Sequence, residues 1–459
     1  MTDTAANVAA ANRFLQAHPA VRWVDLLLAD LHGVLRGKRV ARDEFAAVCA
    51  QGLYLPGSMF ALDVLGETIQ STGLGFDDGD ADRACLPVPE SLLPVPWLGA
   101  DLAQQQVQMH ELDGQPFFGD PRQVLEAVVQ RFLADGLRPV VAIELEFYLL
   151  DRERAGDGQV QPPVCARTGR RERHTQINSM VDVASATAIL RDIADACTAQ
   201  EVPTGTALAE CGPNQWEVNL HHVADAARAC DQAVRLKRIV KGIAERHGLI
   251  ASFMAKPYRD AAGSGTHVHV SLQDDTGHNV FTAAEPLSNA RLRHAVAGLL
   301  ETLPDGMAVF APNANSYRRF LPESYVPLHA TWGYNNRGVA VRVPPSGATD
   351  RRIEHRVAGA DVNPYLLTAV VLAGIHTGLS RAREPGAPLR GNAYGAQSDA
   401  TPLPLHWPLA LEHFRRSAVL REYLGSRFVD LYAGVKASEL AAFESFVTPL
   451  EFDWLLTRV

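Results

Sequence analysis

Apolar and polar positions change their rhythm along the chain, and the change organises it. Residues 5–18 read as a short helix. Trp23–Ala29 and Val34–Val40 are two apolar runs around Asp30, His32 and Gly33, which predicts a β-hairpin. Residues 77–96 are rich in Asp, Gly and Pro and leave room for short strands at most. Turn chemistry over Gly114–Pro121 precedes a helix predicted at Arg122–Asp135, which places a domain boundary near residue 110. Beyond it, strand-like segments alternate with amphipathic helices, predicted at Ser185–Gln200, Ala224–His247, Leu287–Leu303 and Pro364–Ala382. The chain from about residue 405 onward reads as mostly helical. The pattern is that of an α+β protein with a small N-terminal domain, residues 1–110, and a large C-terminal one, residues 111–459.

The strands carry the candidate chemistry. Residues i and i+2 of a strand share a face. Within Pro139–Leu150, Ile143, Leu145 and Phe147 fall on one side, and Glu144 and Glu146 on the other. Within Thr266–Leu272, His267, His269 and Ser271 oppose Val268, Val270 and Leu272. Glu217, Asn219 and His221 align in Trp216–His221. Arg352, Glu354 and Arg356 align against Ile353 and Val357, with His355 on the apolar side. One such strand is what any half-solvated antiparallel strand looks like. Four of them, with Glu, His and Arg in place of Lys, Thr and Gln, predict faces that converge on one concave surface.

Carboxylates crowded together raise each other's pKa unless a cation neutralises them. A hard divalent ion takes their oxygens, tolerates an imidazole and leaves positions for phosphate. Glu144, Glu146, Glu210, Glu217, His267 and Glu354 are the candidate ligands. They suit two or more Mg2+ or Mn2+ ions, and clustered ions suit phosphoryl transfer. Zinc fits less well, since there is no H-E-x-x-H and no Cys pairing. Arg319, Arg337, Arg342, Arg352 and Arg356 crowd one stretch and match the spread charge of a transferring phosphoryl group. The glycines of Gly263-Ser264-Gly265 let backbone amides approach a ligand. Walker A, kinase and Rossmann glycine motifs are absent.

Composition narrows the classes. The 459 residues are 47% hydrophobic and 21% charged, with 35 Gly and 28 Pro, which excludes a disordered, collagen-like or coiled-coil chain. A net charge of −9 without a basic run argues against nucleic acid and anionic membranes as partners. Six cysteines without a C-x-x-C pair read as reduced thiols. The apolar run Tyr365–Leu379 holds Gly374, His376 and Gly378 and is too short for a bilayer. The opening MTDTAANVAAANRF lacks the features of a signal peptide, so a cytoplasmic location is expected.

Ordered motifs then point to a family. Lys256-Pro257 followed by Gly263-Ser264-Gly265-Thr266-His267-Val268-His269-Val270-Ser271 resembles the ATP-region signature of glutamine synthetases. Glu144-Leu145-Glu146-Phe147 resembles their E-x-E-F metal strand, and Glu210-Cys211-Gly212-Pro213-Asn214-Gln215-Trp216-Glu217 their E-x-x-P-x-Q-x-E segment. Asn315–Arg319, Asn336-Arg337, Arg342-Val343-Pro344 and Arg351–Glu354 follow in the family's order.

The resemblance implies an N-terminal β-grasp domain and a catalytic domain with a curved antiparallel sheet. It implies hexameric rings, often stacked as a dodecamer, with each site closed by a neighbour's N-terminal domain. One metal would be held by Glu146, Glu210 and Glu217, and a second by Glu144, His267 and Glu354. His269, Ser271, Arg342 and Arg352 would serve ATP, and Gly263 and Arg319 glutamate. Arg337 and Arg356 would meet the phosphoryl group or the acyl phosphate. The implied reaction phosphorylates the γ-carboxylate of glutamate and lets an amine displace phosphate.

The chain departs from the family where ammonium is bound. Asn315–Pro327 reads NSYRRFLPESYVP, with Tyr325 where the family has a catalytic Glu, and Pro56 stands at the family's Asp. Neither side chain is a carboxylate at neutral pH. The expected activity is therefore glutamate–amine ligation, as in the γ-glutamylpolyamine (γ-glutamylputrescine) synthetase branch. DLLLADLHGVLRGKR, TWGYNNRG and RVAGADVNPYL resemble that branch too. The alternatives are a glutamine synthetase using ammonia, with Glu323 as substitute carboxylate, and a catalytically silent relative. Asp63, Glu67, Phe60 and Tyr54 are candidates for the far end of a longer amine.

Overall fold

The strands fall into two sheets according to their position in the chain. The computed structural model describes residues 4–174, 176–395 and 400–459. The first sheet contains β1 (Trp23–Ala29), β2 (Leu35–Ala41), β3 (Leu53–Pro56), β4 (Asp82–Pro87), β5 (Leu93–Pro94) and β6 (Leu102–His110). Its order is β2-β1-β6-β4-β3, with β5 also on β6.

The predicted hairpin forms, in register from Trp23 opposite Ala41 to Ala29 opposite Leu35. Its turn is built by Asp30, whose carboxylate accepts the amides of His32 and Val34 at 2.9 Å. The tip docks on the second half of the chain, where the Asn363 side chain donates to the Asp30 carbonyl at 2.8 Å.

Strand β6 escaped the sequence reading. Its Gln104, Gln105, Gln106 and Gln108 look like solvent-facing residues, yet all four are buried. The strand lies between β1 and β4 inside the sheet. Its amides find buried partners: Gln105 donates to the Val88 carbonyl at 2.7 Å, and Gln106 to the Tyr365 hydroxyl at 3.2 Å.

The second sheet contains β7 (Leu137–Asp151), β8 (Thr204–Ala209), β9 (Gln215–Leu220), β10 (Leu249–Ser252), β11 (Thr266–Asp274), β12 (Trp332–Tyr334), β13 (Val341–Val343) and β14 (Ile353–His355). Its order is β12-β13-β14-β11-β7-β9-β8, with β10 also on β7. Val141, Ile143, Leu145, Phe147, Val268, Val270 and Ile353 are buried on one face. Each such side chain is worth roughly 1.5–3 kcal/mol of burial, so the register cannot slip without exposing the set. His355 shares this apolar side, as its position predicts, with its ring 4.4 Å from Phe310. Burial pushes its imidazole down to about 3, so it is neutral.

Long helices complete the core, and three of them start on side-chain N-caps. Asp225 caps Ala226–Arg246, Asn289 caps Ala290–Phe310 and Asn363 caps Pro364–Arg381. The apolar run expected to be too short for a bilayer is the buried helix Pro364–Arg381. No helix among the described residues is long and apolar enough to cross a membrane.

The helix predicted at Ser185–Gln200 forms as Thr187–Ala199, and a short helix that the pattern did not predict, Met180–Ser185, precedes it. They meet where the Ser185 and Thr187 hydroxyls bond back to the Val181 and Val183 carbonyls. The helix predicted to stop at Leu303 runs to Phe310 through Pro304. Packing offsets the proline there, because the helix meets Pro364–Arg381 at bare glycine backbone. A Cβ on Gly298 would lie 2.2 Å from the Gly374 carbonyl oxygen.

Candidate active site

The register of the second sheet assembles the site. Glu144 stands opposite His267 on β11 and Asn219 on β9, and Glu146 stands opposite Glu217. His269 faces Glu354 across β11 and β14, and Arg342 faces Glu354 across β13 and β14. Directly opposed residues of antiparallel strands share a face. Five adjacent strands therefore present these side chains as one polar surface, backed by the apolar face.

Glu210 enters from the turn before β9. Gln215 organises that corner, accepting from the Gly212 amide at 2.8 Å and donating to Glu146 at 3.2 Å and to the Gly263 carbonyl at 3.0 Å. Gln215 stands in the quoted motif, but its spacing alone does not reveal that it ties a carboxylate to the glycine loop.

Three groups of ligand atoms lie within 4.8 Å of one another: Glu146, Glu210 and Glu217; Glu144, Glu217 and His267; and Glu144, His269 and Glu354. The first is the triad that the motifs implied. For the second, His267 Nδ1 lies 3.0 Å from Glu144 and 4.0 Å from Glu354. The structure adds His269, expected only to face nucleotide, whose Nε2 lies 2.9 Å from Glu144.

Burial and the charges of Glu144, Glu146 and Glu210 push the Glu217 carboxyl well above the carboxylate range. Burial, followed by Glu146, pushes Glu210 up to about 7. Burial opposes charge on Glu144 as well, but bonds from His267 and His269 outweigh it and hold that carboxyl well below its ordinary value. At Glu354, burial is overcome by Arg356, His269, His267 and Arg342, which hold it at about 2. Carboxylates that must keep protons in order to coexist are the donor set that a divalent cation satisfies. The residues present fit two such ions.

The arginines surround this cluster. Glu354 pairs with Arg342 at 2.7 Å and with Arg356. Arg356 also donates to the Arg337 carbonyl at 3.2 Å, and the exposed Arg337 charge works against the rise at Glu210. Arg319 is buried and donates to the Val357 carbonyl at 3.1 Å. Only glycine fits at Gly263, because a Cβ there would lie 2.4 Å from Arg319 Cγ and 2.7 Å from the Ala255 carbonyl oxygen. Gly263→Ala is therefore expected to displace Arg319 and to cost roughly 1–3 kcal/mol of stability, read as a lower urea midpoint.

Arg352 donates to His269 at 3.3 Å, and both line a cavity of about 320 Å³ with Gly205, Thr206, His221 and His222. His222 was not singled out from the sequence, because it lies beyond the alternating run of β9. Burial, His269 and Arg352 push its imidazole down to about 4. Ser271 lies further along β11, opposite Val140.

Neither of the two positions that depart from the family belongs to the three ligand groups. Tyr325 is 68% exposed on a loop, with φ 58°. Pro56 ends β3 opposite Asp82 in the first sheet, and the structure does not bring it to the second-sheet surface. Phe60 is wholly buried, which removes it from the candidates for contact with an amine, whereas Tyr54 is 48% exposed.

Five mutually antiparallel strands thus carry acidic and imidazole groups that could hold divalent metal ions, ringed by arginines. The chain belongs to the glutamine synthetase family: residues 118–455 match the profile of the glutamine synthetase catalytic domain. Enzymes of this family use ATP and divalent metal ions. The chain is similar to the gamma-glutamylputrescine synthetase of Escherichia coli strain K12, at 42% identity over 97% of this chain and 93% of that one. It is 32% identical to a glutamate–isopropylamine ligase of a Pseudomonas species, over 97% of this chain and 96% of the other. A solved GmaS/ADP complex superposes with a TM-score of 0.84 at 26% identity, covering 99% of this chain and 100% of that one.

Proposed function

We propose that this chain is an ATP-dependent ligase that joins the γ-carboxylate of glutamate to a primary amine. The observation that carries the reading is double. The sheet gathers a complete acidic, imidazole and guanidinium surface, while Tyr325 and Pro56 supply no carboxylate where the family binds ammonium.

In the proposed reaction a γ-carboxylate oxygen of glutamate attacks the γ-phosphorus of ATP and ADP leaves. The deprotonated amine nitrogen then attacks the acyl carbon of γ-glutamyl phosphate, and inorganic phosphate departs. Glu146, Glu210 and Glu217 would hold one Mg2+ or Mn2+, and Glu144, His267 and Glu354 another. Held there, the ions would supply charge neutralisation for the transferring phosphoryl group. His269, Ser271, Arg342 and Arg352 hold ATP, and Gly263 and Arg319 orient glutamate. Arg337 and Arg356 match the charge that spreads over the phosphoryl oxygens. A neutral pocket at Tyr325 and Pro56 admits the carbon chain of an amine where a charged one would select ammonium.

Pro56 belongs to residues 1–110, which we assign as the β-grasp domain, with the catalytic domain at 111–459. Its place in the first sheet suits a site completed by the neighbouring copy in hexameric rings, stacked as a dodecamer, of a cytoplasmic enzyme. We assign it a role in amine or polyamine breakdown; the relatives' names give putrescine and isopropylamine as the amines joined.

The test is ADP release with glutamate, ATP and Mg2+ across a panel of primary amines and ammonium. The expected result is a kcat/KM for the best amine roughly 10–200-fold above that for ammonium, the range that an alkyl-binding pocket provides. Ammonium outperforming every amine would establish the glutamine synthetase reading. No turnover with any of them would establish a silent relative.

A further inference from the structure

The loop around Tyr325 is held in a conformation it would not adopt alone. Glu323 and Tyr325 both lie in the left-handed region, at φ 60° and 58°. Side chains at such angles persist only where their surroundings hold them. The Ser324 hydroxyl supports the loop from within, donating to the Leu321 carbonyl at 2.6 Å, and Tyr394 supports it from outside. Its hydroxyl donates to the Val326 carbonyl at 3.1 Å and lies within bonding reach of Ser324 and the Tyr325 backbone.

The segment that brings Tyr394 there is fastened to a second loop of the site. The Leu389 amide donates to the Trp332 carbonyl at 2.8 Å, and the Asn336 side chain donates to the Gly391 carbonyl at 3.0 Å. Buried Ala393 sits against Gly338, where an added Cβ would come within 2.9 Å of the Ala393 methyl. Asn336 and Gly338 flank Arg337, whose carbonyl is bound by Arg356. One stretch, Leu389–Tyr394, thus reaches from the loop of Arg337 to the loop of Tyr325.

We propose that Leu389–Tyr394 is a strap coupling these two loops, and that Tyr394 is a positioning residue setting the amine-facing loop relative to Arg337. The proposal rests on the reading of Tyr325 as part of the amine pocket. Without the hydroxyl, Glu323 and Tyr325 relax from their left-handed angles and the approach of the nitrogen substrate loses definition. The Arg319 guanidinium is held by the Val357 carbonyl at 3.1 Å, and His269 by Arg352 and Glu144, so glutamate and ATP are held as before.

Tyr394→Phe tests this, because it removes one oxygen and keeps the ring. The expected result is a roughly three- to tenfold rise in KM for the nitrogen substrate, the size of one lost hydrogen bond. The KM values for ATP and glutamate stay within about twofold, since none of their contacts is removed. Tyr432→Phe is the control. Its hydroxyl donates to the Ala308 carbonyl at 2.9 Å, in the helix Ala290–Phe310, and its loss lowers the melting temperature without moving any KM. If all three KM values shift together in Tyr394→Phe, or none shifts, the strap is refuted. If the wild-type enzyme favours ammonium over every amine, the ligase reading fails while the strap is judged on the KM for ammonium.

Discussion

Glu217→Gln is expected to stabilise the metal-free protein and to abolish its turnover. Glu217 is buried among Glu144, Glu146 and Glu210, and its carboxyl is pushed far above the ordinary carboxylate range. A carboxyl raised on folding costs nothing at a pH below its unfolded pKa. The cost grows as pH rises above that value, because the unfolded chain releases a proton that the fold retains. A neutral amide of the same shape removes the cost. The gain should be roughly 1–3 kcal/mol at neutral pH and should vanish near pH 4. Urea midpoints of the metal-free protein at the two pH values measure it.

Activity moves the other way. Glu217 belongs to two of the three ligand groups, so its loss weakens both proposed ions. Removing charge neutralisation of several kcal/mol from a phosphoryl transition state lowers kcat by about 10³-fold or more. Divalent metal should then raise the melting temperature of the variant much less than that of the wild type. A fully active Glu217→Gln enzyme would remove this residue from the metal assignment.

Glu354→Ala is expected to lose turnover and stability together. Its carboxylate is almost wholly buried and is the counter-charge of two arginines, Arg342 and Arg356. Deleting it leaves two buried guanidiniums without their counter-charge, a change that costs about 3–5 kcal/mol in buried pairs. Glu354→Gln keeps the acceptor oxygen and the shape but not the charge, so it should recover part of the stability and none of the turnover. Denaturant midpoints and ADP release, measured on both variants, separate the two roles.

The contrast between Glu217 and Glu354 shows what the sequence discloses. Alternation in β7, β9, β11 and β14 exposes which residues share a face, because the period of two is local. That the faces meet is decided by register, which pairs residues as distant in the chain as Glu144 and His267, Glu146 and Glu217, and His269 and Glu354. The motif order supplied this through the resemblance, and the structure brought the six candidate ligands together. Whether a given carboxylate is pushed up or held down is not local at all. Glu217 faces carboxylates and Glu354 faces arginines, although both read as strand acids.

The fold was legible in the same measure. The hairpin at Asp30 and the capped helices carry their turn and cap residues in the sequence. Strand β6 does not, because its glutamines are polar by type and buried by context. The helix through Pro304 overrides a local breaker by tertiary packing. Gln215 and Tyr394 act by bridging segments far apart in the chain, and nothing in their neighbours announces it.

The central claim is that this surface activates the γ-carboxylate of glutamate by phosphorylation and hands it to an amine. Glutamate labelled with oxygen-18 in its γ-carboxylate, incubated with ATP, Mg2+ and the best amine, tests it by mass spectrometry. The account predicts one labelled oxygen in each phosphate released and one retained in the γ-glutamyl amide. Unlabelled phosphate, or phosphate formed without the amide, would contradict it.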